Sequence, residues 1–245
     1  MIAKGGKSVY GASLGILMLD AHFPRIPGDM GNATTWPFPV LYRVVRSASP
    51  DKVVRQGAQG LTDAFIDAAR SLVADGADGI TTNCGFLSLI QDELAAAVKV
   101  PVAASSLMQV DMVNRLLPKD KRSGILTISG STLTQAHLDA AGVPDGTPIG
   151  STEQGTEFTA AILNNAMELN VTAARADNVT AALELTAKNP DLGALVLECT
   201  NMCPYAHAIR DATGLPVFDM VSFASWFHAG LQPRIYPHAS GTAQP

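Results

Sequence analysis

The chain has 245 residues, of which 47% are hydrophobic and 16% charged, and it carries a net charge of -5. That length and apolar content suit one large α/β domain or two smaller ones and exclude a disordered or low-complexity polymer. The 17 Lys and Arg residues are scattered and no run reaches the roughly 18 apolar residues of a membrane span, so neither nucleic acid nor a bilayer is expected as a partner.

The opening MIAKGGKSVYGASLGILMLDA sets basic residues ahead of a short apolar run, the outline of a secretory signal. Because the same apolar pattern recurs in mid-chain, it is read instead as a first strand, over 15–20. A helix follows over 61–74, a strand over 78–82, a helix over 87–98, a strand over 100–104 and a helix over 107–117. The second part of the chain continues with a strand over 124–128, helices over 158–170 and 173–187, and strands over 194–198 and 215–218. Strand-length apolar runs alternating with amphipathic stretches predict an α/β fold with mainly parallel sheets flanked by helices. Residues 233–245, rich in Pro, Gly, Ser and Thr, read as a loosely held tail. Three cysteines in a chain of this size point to reduced thiols and a cytoplasmic protein rather than a disulfide framework.

The chain also repeats itself. ADGITTNCG followed by VPVAAS is matched 115 positions later by LGALVLECT followed by LPVFDM, which sets Ile80 on Leu195, Cys84 on Cys199, Ala97 on Ala212, Pro101 on Pro216 and Val102 on Val217. GILMLD from Gly15 is matched by GILTIS from Gly124, 109 positions on. Two similar, pseudo-symmetric halves are therefore expected, one formed by 14–106 with 215–232 and the other by 107–214. The active site would lie in the cleft between them, where strand carboxyl ends meet.

Two of the three cysteines fall on equivalent positions, each just past a strand and just before a helix. Free cysteine is often simply buried at strand ends, but the equivalence and the polar neighbours favour a reactive pair. A helix start lowers a thiol pKa and holds anions. Cys84 and Cys199 are thus expected as acid and base on opposite faces of a carbon next to a carboxylate, with Asn83, Gly85, Thr200 and Asn201 as carboxylate contacts. Glu198, the counterpart of Asn83, has two readings. Strand alternation would turn it away from the site; if it instead lies near Cys199, its charge raises that thiol's pKa and leaves Cys84 as the resting base. Cys203 is read as core packing. Cys199, Cys203 and His207 at i, i+4 spacing form a weaker zinc reading, interrupted by Pro204 and Tyr205, so no metal is assigned. No nucleotide-binding or serine-hydrolase motif is present in the sequence, and no cofactor is expected.

TTNCG around Cys84 and LECTNM around Cys199 resemble the aspartate/glutamate/hydantoin racemase superfamily, over about residues 15–231. The resemblance implies a cofactor-independent isomerase that inverts the α-carbon of an amino acid or related carboxylate through Cys84 and Cys199. It also places Ser131 and Thr132, in GILTISGST, near the substrate. The sequence departs from the family at Glu198, commonly Gly, and at Asn201, the histidine of many glutamate racemases, and it lacks their Asp-Ser-Gly turn. The proline- and glycine-rich loop 23–40 holds Arg25, Asp29, Asn32, Thr35 and Trp36 at the expected cleft edge. Arg25 would pair with a distal carboxylate and Asn32 would contact substrate, which favours an aspartate-like molecule. Maleate isomerases and arylmalonate decarboxylases resemble the same scaffold and remain alternatives, as does a non-catalytic carboxylate-binding protein. A homodimer is compatible with the sequence.

Overall fold

The computed structural model describes residue 2 and residues 5–236. Among them, eight strands form two four-stranded sheets in which every pairing is parallel. The first contains β1 (Leu14–Leu19), β2 (Val40–Val45), β3 (Gly79–Thr82) and β4 (Val102–Ala103), in the order β2-β1-β3-β4. The second contains β5 (Arg122–Thr127), β6 (Ile149–Ser151), β7 (Leu192–Leu197) and β8 (Val217–Phe218), in the order β6-β5-β7-β8. All six residues of β1 are buried, because helices cover both faces of a parallel sheet and leave no side for polar residues. No helix among the described residues is long and apolar enough to cross a membrane.

The repeat is borne out element by element. The short 3₁₀ stretch Gly85–Ile90 has its counterpart in Thr200–Tyr205, and the helix Gln91–Ala97 has its counterpart in Ala206–Thr213. The sequence pattern did not reveal β2 and β6. Each lies at one edge of its sheet: five of the six residues of β2 are only half-buried, Arg43 among them, and β6 has three residues.

Two expected boundaries move. Residues 215–218 were assigned to the first half, but β8 pairs with β7, with Leu195 opposite Val217. Only the helix that follows, Met220–Leu231, returns to the first half: Met220, Phe223 and Ala224 cluster with Leu14, Ile16 and Met18. The helix expected over 158–170 ends at Leu163, since Asn165 adopts a left-handed conformation with φ of 55°. The Asn165 Oδ1 accepts from the His22 N–H at 2.6 Å, so this break ties the second half to a first-half loop. Of the tail expected over 233–245, residues 233–236 are exposed and the rest lies outside the described residues.

The halves are joined next to the cleft by side-chain hydroxyls that reach carbonyls of the opposite half. Thr200 Oγ1 donates to the Asn83 carbonyl at 2.5 Å, and Ser106 Oγ donates to the Leu197 carbonyl at 2.5 Å. Thr200→Val keeps the shape of the side chain but leaves the buried Asn83 carbonyl without this donor. Unfolding in urea is expected to show a loss of about 1–3 kcal/mol; an unchanged midpoint would mean that the hydroxyl does not join the halves.

Candidate active site

Each central strand delivers one cysteine. β3 ends at Thr82, whose Oγ1 donates to the Ala104 carbonyl at 2.6 Å and accepts from the Cys84 N–H at 3.3 Å, which fixes the turn into the 3₁₀ stretch. β7 ends at Leu197, so Glu198 and Cys199 lie at the equivalent turn. The two turns face each other across one cavity. Its polar part is formed by Asn83, Cys84, Glu198, Cys199 and Asn201. Its apolar wall comes from Leu19, Phe23, Phe86 and Ile128, closed by Pro50 and Val54 of the helix Pro50–Val54 and by Ile162 and Leu163 of the helix Phe158–Leu163. Ser49 caps the first of these helices, with Pro50 at its first position.

Burial dominates the electrostatics. It pushes the Cys84 thiol well above the usual range, and the charge of Glu198 pushes it further; the Phe86 and Leu87 N–H groups oppose this only in part. Cys199 is raised for the same two reasons, burial first and Glu198 second. The lowering expected from helix starts is thus reversed. The stretches after the cysteines are six-residue 3₁₀ turns, which offer two or so N–H groups rather than a long aligned dipole.

Glu198 faces the cavity. It lies one residue beyond the last position of β7, where the pleat no longer dictates direction, so the packing role suggested by strand alternation does not hold. Its side chain is fully buried; Oε2 accepts from Thr127 Oγ1 at 2.8 Å, and Oε1 has no hydrogen-bond partner. Burial raises its pKa to about 7, against hydrogen bonds from Thr127 and the Ile128 N–H that favour the charged form. The charge acts on both thiols, not selectively on Cys199 as the sequence suggested. Gly85 has a steric reason to be glycine, since a Cβ there would lie 2.3 Å from Glu198 Oε1.

The other expected contacts divide. Asn83 and Asn201 line the cavity. Asn83 Oδ1 accepts from the Leu19 N–H at 2.8 Å, which leaves the NH2 end of the amide for a ligand. Asn201 is oriented from behind: its Nδ2 donates to Asp29 at 2.6 Å, so its Oδ1 accepts from Cys199 Sγ at 3.6 Å. Arg25 pairs with Asp29 at 2.8 Å and stacks on Phe23, 4.7 Å from the ring centroid, instead of pointing at a distal carboxylate site, although its Nη2 is buried without a partner. Asn32 is spent on its own loop, donating to the Arg25 carbonyl and accepting from Thr34. Thr200 and Gly85 border the cavity's polar turns without lining it.

Ser131 and Thr132 lie elsewhere. Ser131, with Ser129 and Ser151, hydrogen-bonds the carboxylate of Glu153, so an acid of the chain itself fills the anion pocket that GILTISGST suggested. Burial alone would raise the Glu153 pKa, but these hydrogen bonds together hold it below the usual range. Cys199, Cys203 and His207 do not converge: Cys203 packs with Met30 and Met220, and His207 pairs with Asp211 at 3.0 Å on the exposed side. Apart from Phe23, in the loop expected at the cleft edge, the apolar wall was not legible in the sequence; the Ser-Pro start of the helix at 50 was the one further signal.

No family model matches the chain. It is 29% identical over 236 residues to a dimethylsulfoniopropionate lyase of Durusdinium sp. clade D, covering 90% of this chain and 75% of that protein. It is 30% identical over 240 residues to dimethylsulfoniopropionate lyase 7 of Emiliania huxleyi, covering 89% of this chain and 67% of that protein. In structure it resembles a mutant of arylmalonate decarboxylase, with a TM-score of 0.63 and 16% identity over 95% of this chain and 96% of that one. It also resembles a glutamate racemase of Bacillus anthracis, with a TM-score of 0.59 and 14% identity over 91% and 83%. These structural likenesses carry the fold, two similar α/β halves, as the sequence motifs implied. They do not carry the activity. The expected amino-acid racemase is corrected by the sequence relatives, which are lyases.

The Glu198 shift makes a stability prediction. In the unfolded chain its carboxyl ionises near the ordinary value of 4.5, and in the folded chain at about 7, so between those values the unfolded state releases a proton that the folded state keeps. Ionisation therefore costs folded stability as pH rises through that window. Glu198→Gln, which cannot ionise, is expected to gain about 3 kcal/mol relative to the unaltered protein between pH 4.5 and 7.5. Denaturant unfolding at the two pH values checks this; equal differences at both would place the Glu198 carboxyl in solvent.

Proposed function

The chain belongs to the dimethylsulfoniopropionate lyase family, and on that premise we propose that it cleaves the carbon–sulfur bond of a β-sulfonium carboxylate such as dimethylsulfoniopropionate. The reaction is a β-elimination. A base removes the α-proton, the C–H electron pair becomes the new double bond, and the C–S pair leaves on sulfur. Acrylate, neutral dimethyl sulfide and one proton result.

Such a reaction asks three things of a site, and the cavity is suited to each. The substrate carboxylate needs donors, which the Asn83 amide and the thiols of Cys84 and Cys199 supply from the polar side. The two S-methyl groups and the departing sulfide need an apolar surface, which Phe23, Phe86, Ile162 and Leu163 offer. The sulfonium charge favours aromatic faces and a nearby carboxylate, here the two phenylalanines and Glu198. A racemase must have a base on each face of the carbon, whereas an elimination needs one base only. The observation that carries the reading is sequence identity of about 30% across nine-tenths of the chain to lyases named for this substrate.

The test is to incubate the protein with dimethylsulfoniopropionate, measuring dimethyl sulfide in the headspace and acrylate by NMR. Equal amounts of both are expected. Cys84→Ala and Cys199→Ala are each expected to lower kcat by roughly 10²- to 10³-fold, the usual effect of removing a donor aimed at developing charge. Absence of both products from the unaltered protein at high concentration would overturn the proposal.

A further inference from the structure

We propose that Asp29 is a positioning residue for the second cysteine: its buried carboxylate holds the Asn201 amide so that the carbonyl oxygen, and not the NH2, meets Cys199 Sγ. Asp29 does not line the cavity and acts through Asn201, which does. The inference deepens the elimination reading and rests on it only for the reaction that measures turnover.

The segment between β1 and β2 is built around this one carboxylate. It carries the run PRIPGDMGNATTW, whose polar residues have no part in the reaction proposed above. Asn32 Nδ2 donates to the Arg25 carbonyl at 2.9 Å. Thr35 Oγ1 donates to the Asp29 carbonyl at 2.8 Å and accepts from the Gly28 N–H at 2.9 Å. Gly28 lets the loop lie against the second half, since its φ is 97° and a Cβ there would be 3.0 Å from the Pro204 Cα. A loop of the first half is thereby seated on the turn that follows Cys199.

Both carboxylate oxygens of Asp29 are engaged. Oδ1 accepts from Arg25 Nη1 at 2.8 Å and from the Gly31 N–H at 2.7 Å, and Oδ2 accepts from Asn201 Nδ2 at 2.6 Å. An amide has a donor end and an acceptor end of nearly the same shape, and either would fit beside the sulfur. A carboxylate paired with a guanidinium offers no hydrogen, so the donor end of Asn201 turns to Asp29. Asn201 Oδ1 is left to accept from Cys199 Sγ at 3.6 Å. That oxygen sets the side to which a hydrogen on the sulfur points, and a proton that the sulfur takes up in turnover is held on the same side. With the amide reversed, an N–H would meet the sulfur and favour its anionic form. Cys84 has no matching arrangement, because Asn83 spends its Oδ1 on the Leu19 N–H.

The experiment compares the unaltered full chain with Asp29→Asn, Asn201→Ala and the two combined. In Asp29→Asn the Arg25 and Gly31 donors hold the new amide oxygen, so its NH2 faces Asn201 and turns that amide over. With dimethylsulfoniopropionate, Asp29→Asn is expected to lower kcat by about 10- to 100-fold and to leave KM within about threefold. Methyl methanethiosulfonate, followed peptide by peptide in the mass spectrometer at pH 7, is expected to label Cys199 at least about fivefold faster in this variant and Cys84 at a rate within about twofold. Once Asn201→Ala has removed the amide, adding Asp29→Asn is expected to lower kcat by less than about twofold more.

A loop that had merely loosened would change both cysteines alike and multiply with Asn201→Ala, and either result overturns the assignment, as does an unmoved Cys199 rate. Should Asp29→Asn not fold, the unaltered protein labelled with ¹⁵N at asparagine carries the test. The side-chain NH2 resonances missing from Asn201→Ala are expected to exchange with solvent at least about 100-fold more slowly than a free amide; exchange at the free rate overturns the assignment. If the unaltered protein does not act on dimethylsulfoniopropionate, the elimination reading fails instead, and the Cys199 labelling rate and the amide exchange still decide the role of Asp29 by the same outcomes.

Discussion

A single buried carboxylate, Glu198, supplies the charge in the lining of this cavity. Glu198 has no cationic partner within hydrogen-bonding distance; the Thr127 hydroxyl and the Ile128 N–H are what favour its charged form. Its desolvation brings its pKa close to neutrality, and its charge adds to the burial that pushes two neighbouring thiols upward. The architecture around it accounts for its position. The ends of β3 and β7 must meet for the two cysteine turns to share a cavity, and the Thr200 and Ser106 hydroxyls join the halves at that point. Gly85, from the first half, leaves space for a side chain of the second.

The two halves share a skeleton but not a charge. Asn83 and Glu198 hold equivalent places in the repeat, each just before its cysteine. Asn83 spends its carbonyl oxygen on the Leu19 N–H, while Glu198 leaves one oxygen bare. A reaction that runs both ways across one carbon suits matched groups on its two faces. A site with an acid-base group on one side and a neutral amide on the other suits a substrate with opposite charges at its two ends. On the proposed reading, the asymmetry orients the zwitterion.

The sequence made the frame legible. The repeat at 109 and 115 positions predicted two halves, the strand ends and both cysteines, because buried parallel strands read as short apolar runs and the turns after them keep their spacing. The edge strand β2 escaped notice, since it is half-buried and carries Arg43 in its middle. The site was legible only in part. Cys84, Cys199, Asn83 and Asn201 line the cavity as placed, but Ser131 serves Glu153, Thr132 donates to Ser129, and Asn32 serves its own loop. Those contacts depend on which polar group arrives first from elsewhere in the fold, and local sequence does not record that. The direction of the thiol shifts was misjudged for a related reason: a helix start is visible in sequence, whereas full burial beside an ionised acid is not.

The same limit explains why the cysteine pair led to the wrong reaction. Two thiols facing a carboxylate-binding cavity are suited to loosening a proton next to that carboxylate, and the sequence carries this much. What becomes of the resulting electron pair is decided elsewhere, by the substituent one carbon further along. If the β-carbon bears only hydrogen or a poor leaving group, the pair can only be reprotonated; if it bears a sulfonium, the pair expels a neutral sulfide. The outcome thus rests on what the rest of the cavity admits at that carbon. Here that region is formed by Phe23, by Phe86 and by two short helices that approach from opposite halves, with one carboxylate at their base. An amino-acid side chain ending in a second carboxylate would meet Glu198 there, and like charges in a dry cavity repel. A dialkyl sulfonium would meet aromatic faces and a counter-charge. The wall that on the proposed reading selects between these substrates is built from residues scattered along the chain from Leu19 to Leu163, which is why it can be seen in the fold and not in a motif.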